Sequence, residues 1–318
     1  MKVAFIDTVH EVLADQLKNY GYTTLHWEHQ SQEWIENNIG EVEGIVIRSR
    51  FPMNADFLAK AGHLQFIARS GAGMENIDLD YCLNHQIQCF NAPEGNRNAV
   101  AEHALGMLLS LFNKICKSNA EVRSGQWNRE DNRGIELEGK TVGIIGFGHN
   151  GSAFARKLRG FDVRILAYDK YKSAFENEYV QEASSLQEVL DQADVLSLHI
   201  PLTEETKMMV NADFWQRCKK PLYLINLSRG PIVNTSDLVH ALTEKKVLGA
   251  CLDVLEHEKT SFENFFRERR MPEDLQALLA FENVMVSPHV GGWTLQSYYK
   301  LSKVLADKIV GAFGAVQQ

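Results

Sequence analysis

The 318-residue chain has little of several features that would mark a specialised class of protein. Its five cysteines are odd in number and scattered without a CxxC pair, so neither a disulfide framework nor a zinc site is indicated. Basic residues are fewer than acidic ones, 33 against 41, which argues against a broad nucleic-acid-binding surface. Low-complexity stretches are absent, and 45% hydrophobic and 23% charged residues are typical of a globular protein.

Long hydrophobic runs are also missing. The N-terminus has only a short apolar run before Asp7, and the most apolar helical pattern, 99–116, contains Glu102, His103 and Asn113. The sequence therefore predicts neither a signal peptide nor a membrane span. Because the cysteines suggest a reducing compartment, we expect a cytoplasmic protein with no membrane or nucleic-acid partner.

The sequence contains two series of short apolar runs that alternate with amphipathic helical patterns. The first series is Val3–Ile6, Gly44–Ile47, Leu64–Ala68 and Ile87–Phe90, and the second is Thr141–Ile145, Val163–Tyr168, Val195–Leu198, Leu222–Asn226, Leu248–Leu252 and Val284–Ser287. This alternation is typical of βαβ units. The predicted fold class is α/β, with two Rossmann-like or flavodoxin-like doubly wound parallel-sheet domains, six parallel strands in the second, and a cleft between them.

Two helical patterns set the expected domain boundaries. The pattern 99–116 leads into the second series, and the pattern 295–313 lies beyond its last strand. We therefore expect one domain of residues 1–98 and 290–318 and another of residues 99–289, with the terminal helix packed on the first. The polar stretch 123–138 is predicted to be a connection.

A glycine-rich loop follows the first strand of the second series. Gly146, Gly148 and Gly151 form a GxGxxG with His149 and Asn150 between the last two, and a helical pattern follows. Such glycines permit a tight turn and a close approach of backbone to pyrophosphate, while a helix N-terminus favours phosphate. The motif in this context predicts a dinucleotide-binding site.

An acidic residue ends the next strand. Asp169 follows Gly151 by 18 residues, where a carboxylate can accept both ribose hydroxyls of NAD and repel the 2′-phosphate of NADP. A glycine turn with an unrelated surface aspartate is the alternative, and the combination of strand, glycines, helix and acid disfavours it. Lys170 weakens the preference for NAD over NADP, but NAD is the predicted cofactor.

Three residues suited to acid–base or anion chemistry follow strand ends in the second series: Arg229, Glu258 and His289. Each alone is more often a surface or structural residue, but the carboxyl ends of parallel strands meet at one sheet edge. A histidine can take a hydroxyl proton as hydride leaves the carbon, and return it in the reverse direction. Glu258 would orient the imidazole and favour its protonated form, and Arg229 would pair with a substrate carboxylate and polarise the carbonyl.

Ordered motifs over essentially the whole chain resemble those of the D-isomer-specific 2-hydroxyacid dehydrogenases. They are Arg69–Asp78, Asn98–His103, the glycine loop, Asn226–Gly230, Leu252–Val254 through Glu258, and Pro288–Gly292. The resemblance implies an NAD-dependent enzyme that interconverts a D-2-hydroxyacid and its 2-keto acid. The first domain would bind the substrate and the second NAD, and the chain would be a homodimer through the helix 99–116.

The resemblance also implies roles for individual residues. The catalytic arginine, glutamate and histidine of the family correspond to the three residues at the strand ends. Asp253 would face the nicotinamide carboxamide, and Thr206 would help to bind pyrophosphate. The N–H groups of Ala72 and Gly73 would hold the substrate carboxylate.

Four features depart from the family pattern or limit it. Asn150 stands where the family commonly has an aliphatic residue, and Trp293 stands where smaller residues are common. The segment 259–281 is predicted to be a charged excursion. We expect no C-terminal regulatory domain of the kind that some phosphoglycerate dehydrogenases carry.

The sequence predicts the type of reaction but leaves more than one candidate substrate. Arg48, Arg69 and Arg129 are spaced like the phosphate-contacting arginines of 3-phosphoglycerate dehydrogenases, and a dianionic phosphate needs such a cluster. Ordinary surface arginines are an equally weighted alternative, and they would leave a glyoxylate, hydroxypyruvate or other 2-keto acid reductase. An NAD(H)-sensing, corepressor-like binding protein and a formate dehydrogenase are the further alternatives. The three catalytic residue types disfavour the first, and Glu258 disfavours the second, which has glutamine there.

Overall fold

The structure is a computed structural model that describes residues 1–258 and 271–316. The strands are β1 (Lys2–Phe5), β2 (Thr23–His26), β3 (Gly44–Ile47), β4 (Phe66–Arg69), β5 (Gln88–Asn91), β6 (Thr141–Ile145), β7 (Arg164–Tyr168), β8 (Gln181–Glu182), β9 (Val195–Leu198), β10 (Leu222–Asn226), β11 (Val247–Leu252) and β12 (Val284–Val286). The helices are α1 (Val12–Asn19), α2 (Gln32–Asn38), α3 (Ala55–Leu58), α4 (Leu79–Asn84), α5 (Pro93–Phe112), α6 (Ile115–Arg123), α7 (His149–Lys157), α8 (Leu186–Gln192), α9 (Ala212–Arg217), α10 (Thr235–Thr243), α11 (Glu273–Leu279) and α12 (Leu295–Phe313).

The described residues divide into two units. The first comprises residues 1–97 and 293–316, and the second comprises residues 98–258 and 271–292. The boundary at 97/98 falls within α5, one residue before the predicted boundary. The boundary at 292/293 falls three residues after the one predicted at 289/290. Residues 290–292 belong to the second unit because the Val290 and Gly291 amides bond to the Asp253 carboxylate there.

The first unit is built on a five-stranded parallel sheet in the order β2-β1-β3-β4-β5. Strand β3 is buried along its whole length, because both faces of the sheet carry an apolar cluster. Ile45 and Ile47 pack in one cluster, and Val46 packs in the cluster on the opposite face. Helix α12 has the bounds that the periodicity predicts, and Leu305 and Ile309 pack in the same cluster as Val46 and residues of α1. The terminal helix is therefore part of this unit.

The second unit is built on a seven-stranded parallel sheet in the order β12-β11-β10-β9-β6-β7-β8. The two parallel sheets confirm the predicted fold class. Strand β6 lies between β7 and β9, and the strand order runs in opposite directions from there. In open α/β sheets, dinucleotides bind beyond the carboxyl ends of the strands at such a switch point.

The sequence did not predict two edge strands, and their burial explains why. Strand β2 pairs with β1 at the edge of the first sheet, and none of its four residues is fully buried. Strand β8 has two residues at the edge of the second sheet. Neither has the continuous apolar run that marks a strand buried on both faces.

The long helical pattern at 99–116 is two helices in the structure. Helix α5 ends at Phe112, and Lys114 adopts a left-handed φ of 49° before α6 begins. Residues 124–140 then contain neither helix nor strand, in agreement with the predicted connection. The excursion expected over 259–281 lies partly outside the described residues, and its described part contains α11. None of the described helices is long and apolar enough to cross a membrane.

Candidate active site

The glycine loop connects β6 to α7, and its three glycines meet different surroundings. A Cβ on Gly151 would lie 2.0 Å from the Gly146 carbonyl oxygen, and one on Gly146, where φ is 91°, would lie 2.6 Å from the His199 carbonyl oxygen. A Cβ on Gly148 would meet nothing within 4 Å. Two glycines therefore allow close packing, and the third leaves an open approach at the N-terminus of α7. This arrangement fits the pyrophosphate of a dinucleotide.

His149 and Asn150 begin α7, and no acidic residue lies in its first turn. His149 is exposed, whereas Asn150 Oδ1 is buried without a hydrogen-bond partner among the described residues. The helix forms nonetheless, because Ala153 and Phe154 bury its inner face. The asparagine thus leaves a buried polar atom where the resemblance implies an aliphatic side chain.

Asp169 connects the end of β7 to the glycine loop. Its Oδ2 accepts a hydrogen bond from the Phe147 amide at 2.7 Å. Its Oδ1 accepts from the amides of Tyr171 at 2.9 Å and Lys172 at 3.0 Å. A carboxylate offers about four lone-pair positions, so three backbone bonds leave about one for a ribose hydroxyl. Residue types predict only the ribose role of Asp169, because they do not reveal hydrogen bonds to the backbone.

A histidine without a predicted role lies beside the loop. His199 follows β9, its Nε2 is 2.8 Å from the Ser197 hydroxyl, and its ring lies 5.5 Å from the ring of Phe154. Burial lowers the pKa of His199 to about 4. The imidazole is therefore neutral near pH 7.

Arg229 lies in a loop that Asn226 organises. The buried Asn226 side chain accepts from the Ser228 amide at 3.1 Å and donates to the Arg229 carbonyl at 3.0 Å. Arg229 Nη1 donates to the Ser228 carbonyl at 2.6 Å. A Cβ on Gly230 would lie 1.9 Å from the Leu255 carbonyl oxygen, so the glycine lets this loop touch the one that follows β11.

Glu258 and His289 form a side-chain pair at the carboxyl ends of β11 and β12. His289 Nδ1 lies 3.0 Å from Glu258 Oε1, and the two side chains are 22% and 18% exposed. His289 has a left-handed φ of 55°, which is unusual for a residue with a side chain, and its amide donates to the Asp253 carbonyl at 2.8 Å. Backbone strain of this kind is found at sites where geometry serves function.

Asp253 holds the loop that carries His289. This carboxylate is almost fully buried, and its Oδ1 accepts from the Ser287 hydroxyl at 2.6 Å and the Val290 amide at 2.9 Å. Its Oδ2 accepts from the Gly291 amide at 2.7 Å, and a Cβ on Gly291 would lie 2.8 Å from that oxygen. The resemblance assigned Asp253 to the cofactor, and the structure adds this contact with the loop.

His103 joins the same network from α5. Its Nε2 lies 2.9 Å from the Ser287 hydroxyl and 3.6 Å from Asp253 Oδ1. The motif Asn98–His103 contains His103 but predicts no role for it. Its partners are more than 100 residues away in the chain, so no local spacing reveals them.

Thr206 lies in the turn that follows β9. Its hydroxyl donates to the Pro201 carbonyl at 2.6 Å and accepts from the Thr203 amide at 2.8 Å. The side chain therefore shapes the 201–206 turn. The pyrophosphate contact that the resemblance implies remains a prediction.

In the first unit, two of the three predicted arginines are neighbours. Arg69 Nε donates to the Arg48 carbonyl at 3.0 Å, and a Cβ on Gly71 would lie 1.8 Å from Arg69 Nη1. The Arg48 guanidinium lies over the Trp293 ring, 4.2 Å from its centroid. No carboxylate within residues 1–258 and 271–316 pairs with Arg48. Arg129 is exposed in the second unit.

Ala72 and Gly73 form a half-exposed loop after β4. Neither amide N–H has an acceptor in the described part of the chain, while the Ala72 carbonyl accepts from the Asn91 side chain at 2.6 Å. Two adjacent unsatisfied amides at a strand end can bind a carboxylate.

Comparisons with known proteins identify the family to which the chain belongs. The family model described as the NAD binding domain of D-isomer specific 2-hydroxyacid dehydrogenase matches residues 105–291. Glyoxylate reductase of Pyrococcus furiosus is 32% identical over 295 residues, 89% of this chain and 84% of that protein. The crystal structure of D-lactate dehydrogenase from Aquifex aeolicus, complexed with NAD and lactic acid, has 28% identity and a TM-score of 0.82, and covers 98% of this chain and 95% of that one.

A D-3-phosphoglycerate dehydrogenase of Archaeoglobus fulgidus is 30% identical over 311 residues. These residues are 98% of this chain but 57% of that protein. The chain therefore spans little more than half the length of this relative.

Proposed function

The chain belongs to the D-isomer-specific 2-hydroxyacid dehydrogenase family, and we propose that it interconverts a D-2-hydroxyacid and its 2-keto acid with NAD. The observation that carries this proposal is the Glu258–His289 pair, whose atoms lie 3.0 Å apart on the sheet that also carries the open glycine loop. An acid–base group and a dinucleotide site are the two parts that the reaction needs.

In the reduction, His289 donates a proton to the carbonyl oxygen. We assign this transfer to Nε2, because Nδ1 bonds to Glu258. The carboxylate orients the ring and balances the charge of the imidazolium. Asp253 acts as a positioning residue, because its carboxylate accepts from the Ser287 hydroxyl before His289 and from the Val290 and Gly291 amides after it.

Arg229 binds the substrate carboxylate and polarises the reacting carbonyl. A guanidinium is suited to both tasks, because it presents several N–H donors in one plane and stays charged. In the first unit, the adjacent amides of Ala72 and Gly73 are suited to bind a carboxylate. The absence of acceptors for these amides in the described residues supports this role.

NAD accepts or supplies the hydride when it is bound. The residues that would hold it are Gly146, Gly148 and Gly151 with the first turn of α7, and Asp169 at the ribose. Thr206 and Asp253 would complete the site, as the resemblance implies. The open position at Gly148 supports this assignment.

For the substrate, we propose a 2-keto acid with an anionic far end, such as phosphohydroxypyruvate. Arg48 has no acidic partner in the described residues, and its carbonyl accepts from Arg69 Nε, so its guanidinium is suited to bind an anion beside a second arginine. Trp293 holds the guanidinium of Arg48 by stacking, and apart from Nη1, which donates to the Thr8 carbonyl at 3.5 Å, its edge donors have no partner in the described residues. Arg129, in the second unit, stays a prediction from the resemblance alone.

A substrate panel tests the reaction and its specificity together. NADH oxidation by the full chain would be compared for phosphohydroxypyruvate, hydroxypyruvate, glyoxylate and pyruvate, and the hydroxyacid produced would be assigned as D or L. We expect D products, the highest kcat/KM for phosphohydroxypyruvate, and a loss of that preference in Arg48→Ala.

Two other outcomes would change the proposal. A preference for the unphosphorylated acids, unaffected by Arg48→Ala, would leave a glyoxylate or hydroxypyruvate reductase. Tight NADH binding without turnover of any keto acid would instead favour the corepressor-like binding protein.

We further propose that two copies associate through the second unit. A groove of about 1040 Å³ includes residues of α5, α6 and β12, and it presents the exposed apolar side chains of Ile135, Leu248 and Val286. Strand β12 is also a sheet edge, which proteins usually cover. Light scattering should give twice the chain mass of 36.0 kDa, and Val286→Lys should give the mass of one chain. A wild-type monomer would contradict this proposal.

The compartment is proposed on separate grounds. All five cysteines are free, which suits a reducing environment and supports a cytoplasmic location.

A further inference from the structure

Glu205 forms a side-chain bridge beside the glycine loop. Its Oε1 bonds to Lys170 Nζ, and its Oε2 accepts from the Tyr171 hydroxyl at 2.7 Å. Lys170 Nζ also lies 5.4 Å from the centroid of the Tyr171 ring. One carboxylate is thus bonded by two consecutive side chains.

The strand order places this bridge at the switch point of the sheet. Lys170 and Tyr171 follow β7, and Glu205 follows β9. Strand β6, from which the glycine loop departs, lies between these two strands. The bridge therefore joins the two segments that flank the proposed dinucleotide site.

The bridge also sets the charge beside Asp169, the residue proposed to bind the ribose. Hydrogen bonding to Glu205 raises the pKa of Lys170, and hydrogen bonding to Lys170 lowers the pKa of Glu205. Both groups are charged near neutral pH, and the positive charge of Lys170 is directed to Glu205. A cation next to the ribose-binding acid would otherwise attract a 2′-phosphate.

We infer that Glu205 determines the selectivity of the site for NAD over NADP, by holding Lys170 away from the 2′-position and adding negative charge there. This inference rests on the proposed function, because it requires that a dinucleotide binds at the glycine loop. This role of Glu205 explains how the site can favour NAD although Lys170, a cation that would attract the 2′-phosphate of NADP, directly follows Asp169. The lysine is present, but its partner Glu205 lies in a segment that no sequence motif connects to it.

The size of the effect follows from exposed charges. Lys170 and Glu205 are about half exposed, so one charge interaction at 4 Å is screened to about a fivefold effect. Replacing Glu205 by glutamine removes the repulsion between its carboxylate and a 2′-phosphate. It also frees Lys170 to attract that phosphate. Two effects of about fivefold each multiply to about 25-fold, and salt screens both because the groups are exposed, so we expect NADPH to bind about tenfold more tightly in Glu205→Gln and NADH to change by less than about threefold.

The test measures dissociation constants of NADH and NADPH by fluorescence titration of the full chain. Glu204→Gln is the matched control, because it removes the same charge from the adjacent exposed residue, which has no partner among the described residues. The control should leave the ratio of the two constants unchanged. The double variant Lys170→Gln/Glu205→Gln should lose most of the increase in NADPH affinity, because the lysine that Glu205→Gln would free is absent.

Three results would overturn the inference. The first is an unchanged NADPH affinity in Glu205→Gln, and the second is an equal gain in Glu204→Gln. Both would leave the proposed function intact, provided that NADH binds and Asp169→Ala narrows the preference for NADH. The third is binding of neither dinucleotide by the wild type, which would overturn the proposed function as well.

Discussion

Acid should destabilise the second unit through His199. Burial holds its pKa at about 4 in the native chain, below the ordinary value of 6.5. Between these two values the unfolded chain binds a proton that the native chain does not. Stability that is present above pH 6.5 is therefore lost as the pH falls, and the loss is complete near pH 4.

The two pKa values give the size of this loss. A difference of 2.5 pH units corresponds to about 3 kcal/mol below pH 4, and to about 2 kcal/mol at about pH 5. These are upper values, because His199 retains a partly exposed edge where water screens the charge.

The assay is urea unfolding of wild type and His199→Gln at about pH 7.5 and about pH 5. His240→Gln is the control, since this histidine lies on α10 in the same unit and its side chain is 73% exposed. Wild type and control should lose up to about 2 kcal/mol more than His199→Gln over this interval. An equal loss in all three proteins would refute the reasoning.

Four further substitutions test the loops of the site. Gly148→Ala should leave the melting temperature unchanged but weaken NADH binding about tenfold or more. Gly151→Ala, whose Cβ would lie 2.0 Å from a carbonyl oxygen, should lower both the melting temperature and the affinity for NADH. Thermal melts and fluorescence titrations measure these two quantities. Asn150→Leu should raise the free energy of urea unfolding by about 1 kcal/mol by removing a buried oxygen without a partner in the described residues. Asp253→Asn should lower kcat far more than NADH affinity. It should also lower the free energy of unfolding by about 1–3 kcal/mol, because the new amide would face the Gly291 N–H. Wild-type stability and turnover in this variant would exclude the positioning role of Asp253.

The sheets were predictable where strands are buried on both faces. Strands β3, β6 and β9 have the predicted bounds, because continuous apolar runs mark them in the sequence. The edge strands β2 and β8 were missed because exposure on one side removes that signal.

The chemistry of the site was predictable where a local motif carries it. The glycine loop is one such motif, and Gly148 is open as the motif requires. Contacts between residues far apart in sequence were not predictable, since they depend on strand order. The contact of Lys170 with Glu205 forms because β7 and β9 lie on either side of β6, and residue types do not reveal that arrangement.

The most direct test of the account compares His289→Gln with His240→Gln in the NADH-dependent reduction of the preferred keto acid. A proton donor contributes about 10² to 10⁴ in rate, so kcat of His289→Gln should fall by that factor while its dissociation constant for NADH stays near the wild-type value. The control should match wild type in both quantities. Near-normal turnover in His289→Gln would contradict the assignment of His289 as the acid–base group.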